Sequence, residues 1–396
     1  MKKILAALAA TTLMTSAAIS ASHSPIKIGV ILGFTGPIES LTPTMAASAE
    51  LAMKEATDSG KFLDGAEVMS VRADSTCIDS AAASAAAERL ITAEGVTAIM
   101  GADCSGVTGA ILQNVARANG IVMISPSATS PALSDAEDDG LFFRTSPSDA
   151  RQGDVLADVL IEKGVKSAAL TYTNNDYGKG LSDSIQAAFE AKGGTITISA
   201  AHEDGKGDYS AEVGALAQAG GDVLIVAGYL DQGGKGVIQG ALDAGAFETF
   251  VLPDGMVGDS LPAAIGAPLN GSYGTIAGSE SEGADLFQKL ATDAGVKTDT
   301  YAAESYDAAA LILLAMQAAK SANSADFKDK VMDVANAPGE KILPGEIGKA
   351  LEILAAGGEV DYVGATAVEF IGNGESGGSF RQILVDGEKI TTEKYR

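Results

Sequence analysis

Hydroxyls and a carboxylate, more than imidazoles or thiols, are the groups this chain places where chemistry could occur. Ser105 opens a helical stretch, where a hydroxyl and the unpaired N–H groups of a first turn can together hold a carboxylate; simple capping of the helix is the alternative. Asp254 follows a short apolar run and precedes Gly255, so its carboxylate projects beyond a strand end and can meet a cation, with a solvated turn as the alternative. Ser127, Ala128 and Thr129 form a small polar loop that, taken alone, is an ordinary turn. Metal and imidazole chemistry have little to work with, because the 396 residues include only 2 His and 2 Cys. That is too few for most imidazole catalysis or for several four-ligand zinc sites. His202, beside Glu203 and Asp204, reads as a solvated loop residue. Gly234-Lys235-Gly236 with Gly240 lacks the spacing and acidic partner of a dinucleotide loop, and no ATP-binding Gly-Lys motif occurs. No cofactor and no metal are expected.

These loops depend on a repeated unit. Short runs rich in Ile, Val and Ala alternate with longer runs of helical period, the pattern of right-handed crossovers and parallel sheets. Strands are predicted over 26–33, 67–74, 98–101, 121–125 and 142–145, with helices over 44–57, 79–94 and 105–119 between them. After Ser146-Pro147 the rhythm restarts with helix 149–163, strand 167–172, helix 177–192, strand 195–200, helix 209–219 and strands 222–227, 250–252 and 276–278. Helices then predominate over 282–294, 302–322, 325–336 and 344–356, before strand-like runs at 367–370 and 380–385. Helices without a sheet of their own must pack on an existing lobe, so the chain is expected to cross back. The expected fold class is α/β, with two doubly wound parallel-sheet lobes joined by three hinge crossovers. Residues 22–145 with about 278–377 form the first lobe, and 146–277 with about 378–396 the second. Open parallel sheets bind ligands beyond the carboxyl ends of their strands, which points to a cleft between the lobes.

Charge and cysteine usage narrow the setting. Lys and Arg number 27 against 52 Asp and Glu, a net charge of −25 that repels phosphates, so no nucleic-acid partner is expected. Lys2 and Lys3, the apolar run from Ile4 to Met14 and the small residues from Ala17 to Ser22 read as a secretory signal ending near Ala21. The alternative, a membrane anchor, is too short and is interrupted by Thr11, Thr12, Thr15 and Ser16. Export to a periplasm is the expectation. In that oxidising setting Cys77 and Cys104, each just after a predicted strand and at the same sheet edge, read as a disulfide; two buried free thiols are the alternative.

The order and spacing of these pieces resemble the leucine/isoleucine/valine-binding proteins of bacterial ABC importers, which have the type I periplasmic binding fold. The resemblance spans nearly all of the mature chain. It is carried by Met123-Ile124-Ser125-Pro126-Ser127-Ala128-Thr129-Ser130-Pro131, by Asp74 to Cys77 with Cys104-Ser105, and by Asp176-Tyr177-Gly178. It implies a Cys77–Cys104 bridge and an amino acid ligand whose α-carboxylate and α-ammonium are held by the first lobe through Ser105, Ser127, Ala128 and Thr129. Tyr177 and Tyr229 of the second lobe then close over the ligand. Asp254, where family members commonly carry Glu, is implied to pair with the ammonium. Leu41 takes a side-wall position that the family often gives to an aromatic, with Glu39 two residues before it. Glu304, near Tyr301 and Tyr306, reads as a helix-surface carboxylate, with reach into the pocket as the alternative.

The function this implies is binding without turnover. The chain is expected to be a monomeric solute-binding component that delivers a branched-chain or related amino acid to an inner-membrane permease. A ligand-sensing receptor for a membrane signalling protein and an exported enzyme of the same fold are the alternatives.

Overall fold

The apolar runs become central strands because helices cover both of their faces. Every residue of Ala98–Gly101, Met123–Ser125, Val223–Ala227 and Phe250–Leu252 is buried. In the computed structural model, which describes residues 24–396, these strands belong to two sheets of seven strands each. The secretory segment read over Met1 to about Ala21 lies outside the described residues.

The first sheet runs Phe370–Ile371, Glu375–Ser376, Phe142–Arg144, Met123–Ser125, Ala98–Gly101, Ile26–Leu32, Val68–Asp74. The second runs Lys389–Tyr395, Phe380–Asp386, Tyr273–Ala277, Phe250–Leu252, Val223–Ala227, Ser167–Thr173, Thr195–His202. In each sheet the first strand of its parallel series lies between the second and the third, so the order reverses beside it. Such a reversal opens a crevice at the carboxyl ends of the strands.

The parallel series of each sheet is extended at one edge by antiparallel pairing. Phe380–Asp386 pairs antiparallel with Tyr273–Ala277 and with Lys389–Tyr395, and Phe370–Ile371 pairs antiparallel with Glu375–Ser376. These late strands arrive by short connections after the crossover helices are complete, so nothing forces them parallel.

The chain passes from one sheet to the other three times: after Phe142–Arg144, after Tyr273–Ala277 and after Glu375–Ser376. The second pass returns helices to the first sheet. Ala302–Ala319 is apolar nearly all round and buried along almost its whole length. It packs on Thr42–Ser59 and on the strands Ala98–Gly101 and Met123–Ser125. A helix apolar on every side requires such burial.

Three elements escaped the sequence pattern. Gly233–Asp243 is a helix despite the poor propensity of glycine. Its glycines permit close packing, since a Cβ at Gly236 would lie 2.3 Å from the Tyr209 ring and one at Gly234 the same distance from the Met256 sulfur. Glu340–Ile342 and Val360–Tyr362 form a separate two-stranded parallel sheet, too short to show a period. The helix expected over 325–336 is two pieces, Ser324–Phe327 and Lys330–Ala335.

Cys77 and Cys104 are bridged, with Cα atoms 5.2 Å apart and a sequence separation of 27. Closing a loop of that length contributes about 3.5 kcal/mol in the chain-entropy model. Unreduced, denatured protein should therefore take up no thiol-alkylating label, and reduction should lower the unfolding free energy by about that amount in chemical denaturation. Labelling of both cysteines before reduction would show the bridge absent.

Candidate functional site: the cleft between the sheets

The first sheet presents its strand ends as a rigid rim. Asp103, buried beyond Ala98–Gly101, accepts hydrogen bonds from the Gly33 N–H (2.6 Å), the Ser75 hydroxyl (3.0 Å) and the Cys104 N–H (3.0 Å). Burial raises its carboxyl above the usual range while these donors pull it back. Ser105 is the first residue of helix Ser105–Ile111, and its hydroxyl accepts the Ser130 N–H at 3.1 Å. The first-turn N–H groups of that helix have no intrahelical acceptor and face the same rim.

The loop from Ser125 to Ser130 is held from several sides. The Ser125 hydroxyl accepts the Ala128 N–H at 2.9 Å, and the Ser127 hydroxyl donates to the Asp103 carbonyl at 3.0 Å. The buried Arg144 guanidinium donates to the carbonyls of Ala128 (3.0 Å) and Ser130 (2.9 Å), and also to Ser134 and Glu375. Both backbone polar groups of Ala128 are thus engaged, the N–H by Ser125 of the loop and the carbonyl by Arg144. Ala128 shapes the loop, whereas Ser127 reaches the cavity.

The second sheet supplies the opposite wall. Asn175 caps helix Asp176–Ala191 by accepting the Gly178 N–H, so Tyr177 enters the cleft from the first turn. Its ring stacks on Tyr229 with centroids 5.1 Å apart and planes 16° from parallel. Asp254 follows Phe250–Leu252 and is buried, accepting the Tyr177 hydroxyl (2.8 Å) on one oxygen and the Tyr301 hydroxyl (2.6 Å) on the other. Gly255 permits this approach, since a Cβ there would lie 2.6 Å from the Tyr177 hydroxyl.

Leu41, Ser105, Ser127, Tyr177, Tyr229 and Asp254 line one cavity of about 20 Å³, so the cleft is closed. Ile38, Asp103 and Tyr301 join them. Tyr301 was not among the residues expected to contact ligand. It arrives on the second pass between lobes, at φ +61°, a left-handed conformation unusual for a non-glycine residue. Thr129 stands behind the cavity, against Asp149.

Asp149 also escaped the sequence reading, which took it only as a helix start. Its N–H donates to the Thr129 carbonyl at 2.9 Å, and its side chain is fully buried. Neither carboxylate oxygen has a hydrogen-bond partner of acceptable geometry, nor has the Thr129 hydroxyl. Burial, then the charge of Asp254, holds the Asp149 carboxyl well above its usual range, with the Thr129 hydroxyl and Arg144 opposing. Asp254 is also raised by burial, against the pull of the Tyr301 and Tyr177 hydroxyls, the Gly255 N–H and Gln152. Among the described residues no Lys or Arg lines the cavity. Asp254 lines the cavity, and Asp149 with the Thr129 hydroxyl is buried behind it, so this wall suits a small cation with several N–H donors. The signal available in the sequence was an Asp immediately beyond the Ser146-Pro147 break.

Two expectations are corrected. His202 is not a solvated loop residue: it ends strand Thr195–His202, is 1% exposed, and its Nδ1 lies 2.8 Å from the Thr171 hydroxyl. Burial pushes its imidazole down to about 4. Glu304 is not a surface carboxylate, since the packing of its helix on Thr42–Ser59 and on the first sheet leaves it 4% exposed. It does not line the cavity; its carbonyl accepts the Thr145 hydroxyl at 2.8 Å, and burial pushes its carboxyl up to about 7. Glu39 is exposed. Among the described residues there is no group of three or more His, Cys, Asp or Glu arranged to hold a metal, and no helix long and apolar enough to cross a membrane.

Comparison with known proteins places this architecture. A model of the periplasmic binding protein family matches residues 25–347. The Leu/Ile/Val-binding protein homolog 1 of Brucella suis biovar 1 is 31% identical over 308 residues, covering 76% of this chain and 80% of its own. The chemotactic signal transduction system substrate-binding protein BasB of Halobacterium salinarum is 28% identical, covering 86% of this chain and 82% of its own. The branched-chain amino acid transporter substrate binding protein LivJ from Streptococcus pneumoniae, solved in complex with isoleucine, superposes with a TM-score of 0.75 at 23% identity. That superposition covers 94% of this chain and 99% of the other.

Proposed function

The chain belongs to the periplasmic binding protein family, and on that premise we propose that it captures a free α-amino acid between its lobes for import across the inner membrane. The observation that carries this reading is the buried pair Asp149 and Asp254 beside the unpartnered Thr129 hydroxyl. An α-ammonium in the cavity meets the Asp254 carboxylate directly, with Asp149 and the Thr129 hydroxyl buried behind it. The α-carboxylate goes to the Ser105 hydroxyl and the first-turn N–H groups of its helix, where the helix dipole favours an anion. Ser127 orients the loop between the two groups, and the Tyr177–Tyr229 stack closes over the backbone of the ligand. Leu41 and Ile38 give the ligand side chain an apolar wall, and the absence of Lys and Arg from the lining disfavours an acidic one. Leu/Ile/Val-binding relatives support a neutral aliphatic ligand.

In this reading, residues 22–145 with about 278–377 and residues 146–277 with about 378–396 move as two bodies in the periplasm. Closure on ligand presents one continuous surface to a permease, and the protein binds without turnover. A second reading, delivery of the occupancy signal to a membrane signalling protein, draws on the similarity to the chemotactic receptor BasB.

A thermal-shift screen tests the ammonium assignment by pairing leucine, isoleucine, valine and alanine with their analogues lacking the amino group. At about 100 times its dissociation constant, a bound amino acid should add roughly 2.7 kcal/mol of stability, and the desamino acid should add none. Equal shifts from leucine and 4-methylpentanoate would remove the ammonium from the site.

A further inference from the structure

The closed cleft is also held at its outer lip, by contacts separate from the ammonium and carboxylate groups. Asp231, two residues beyond Tyr229, donates its N–H to the Pro37 carbonyl across the cleft at 3.0 Å. One oxygen of its carboxylate accepts the Ser40 N–H at 2.9 Å, and the other accepts the Ser260 hydroxyl at 2.8 Å. The Ser40 and Ser260 hydroxyls lie 3.1 Å apart, which completes a ring between the lobes. Behind this ring Leu41 and Leu230 meet over Gly258, where a Cβ would come within 2.7 Å of Leu230 and 2.9 Å of Leu41.

We propose that Asp231 is a positioning residue: a latch that sets the fraction of closed protein and so scales the affinity for every ligand by a common factor. The inference rests on the two-lobe binding reading and deepens it. Pro37 and Ser40 are within reach of Asp231 only when the lobes meet, so opening forfeits both contacts, and removal of the Asp231 side chain leaves Ser105, Asp149 and Asp254 in place. The apparent dissociation constant is the intrinsic one divided by the competent fraction, so a group acting through that fraction alone treats all ligands alike. A group touching the ligand would discriminate among them. Gly258 serves the same end by leaving room for the lips to touch.

The test compares the full-length parent with Asp231→Ala, Asp231→Asn and Gly258→Ala, by calorimetry with leucine, valine and alanine and by small-angle scattering with and without each. Asp231→Ala should weaken each amino acid that the parent binds by the same factor, about tenfold, and enlarge the radius of gyration of ligand-free protein. Asp231→Asn should recover part of the loss, because its amide oxygen can still accept the Ser40 N–H. Gly258→Ala, which presses on Leu41 as it wedges the lips apart, should enlarge the radius of gyration of ligand-free protein. Factors for Asp231→Ala that differ between ligands would overturn the latch in favour of direct contact, and unchanged affinity with unchanged scattering for that variant would overturn it outright. Should the parent bind no amino acid, the ammonium reading fails separately; scattering of ligand-free Asp231→Ala indistinguishable from the parent would then still overturn the latch.

Discussion

Replacing either of the two buried carboxylates at the cleft wall, by Asp149→Asn or by Asp254→Asn, should weaken amino acid binding at least about thirtyfold. Removing one partner of a desolvated, hydrogen-bonded charge pair costs about 2 to 5 kcal/mol in binding, and the low end of that range is a factor of about thirty. The ligand-free protein responds in the opposite sense. Asp149 is raised by burial and by the charge of Asp254, and its oxygens hold no partner, so Asp149→Asn relieves a like-charge contact and should leave stability unchanged or higher, whereas Asp254→Asn also gives up one of two tyrosine hydroxyl partners. For Asp149→Asn, loss of affinity together with retained or increased thermal stability is the signature, read by calorimetry and by thermal unfolding of the same samples. Binding of an amino acid by both mutants as tightly as by the parent would reduce the pair to a structural feature.

The same pair sets a pH dependence. Both carboxyls sit above their usual range in the ligand-free cleft, and an ammonium in the cavity lowers both. Binding therefore releases protons, and affinity should rise with pH through the raised range and fall below it as protons compete with the ammonium. Calorimetry in buffers of different ionisation enthalpy measures that release, and Asp149→Asn should diminish it.

The largest effect on stability is expected at Asp307, within the buried helix Ala302–Ala319. Its carboxylate accepts the Tyr362 hydroxyl (2.8 Å), the Ala365 N–H (2.8 Å), and both the N–H (2.8 Å) and the hydroxyl (2.7 Å) of Thr366. The helix that returns to the first sheet is thereby tied to the segment leading into the last pass between lobes. Burial pushes this carboxyl up to about 6 against the pull of those four donors. Asp307→Ala leaves all four without their acceptor, and at about 1 to 3 kcal/mol for each buried unsatisfied group, with some relief from entering water, the net loss should be about 5 kcal/mol. Asp307→Asn, which keeps one carbonyl oxygen, should lose about half as much. Denaturant titration measures both, and a loss under about 1 kcal/mol for the alanine variant would place Asp307 among ordinary surface substitutions.

Much of the molecule is legible from local pattern. Ile26–Leu32, Ala98–Gly101 and Phe250–Leu252 announce themselves as apolar runs between turn residues, and Asp176–Ala191 by its helical period, because those signals depend on neighbours a few positions away. Their alternation specifies crossovers, crossovers specify where strand ends gather, and that placed Ser105, Ser127, Tyr177, Tyr229 and Asp254 on one cleft before any coordinates. The cysteine pair followed from the same strand ends.

Other features were decided only by tertiary structure. Tyr177 meets Asp254 across 77 residues of sequence, and Tyr301 reaches the same carboxylate across 47. Asp149, Asp231, His202 and Glu304 look alike in sequence, as polar residues near turns. In the fold one is an unpartnered buried acid behind the cleft wall, one closes the outer lip, one is a buried imidazole inside the second lobe and one is a buried carboxyl beside a crossover between the lobes. The difference is desolvation: periodicity is written in the spacing of a chain with itself, whereas the charge state and partners of a polar group depend on which distant segments exclude water from it, and that is settled only when the two lobes are assembled.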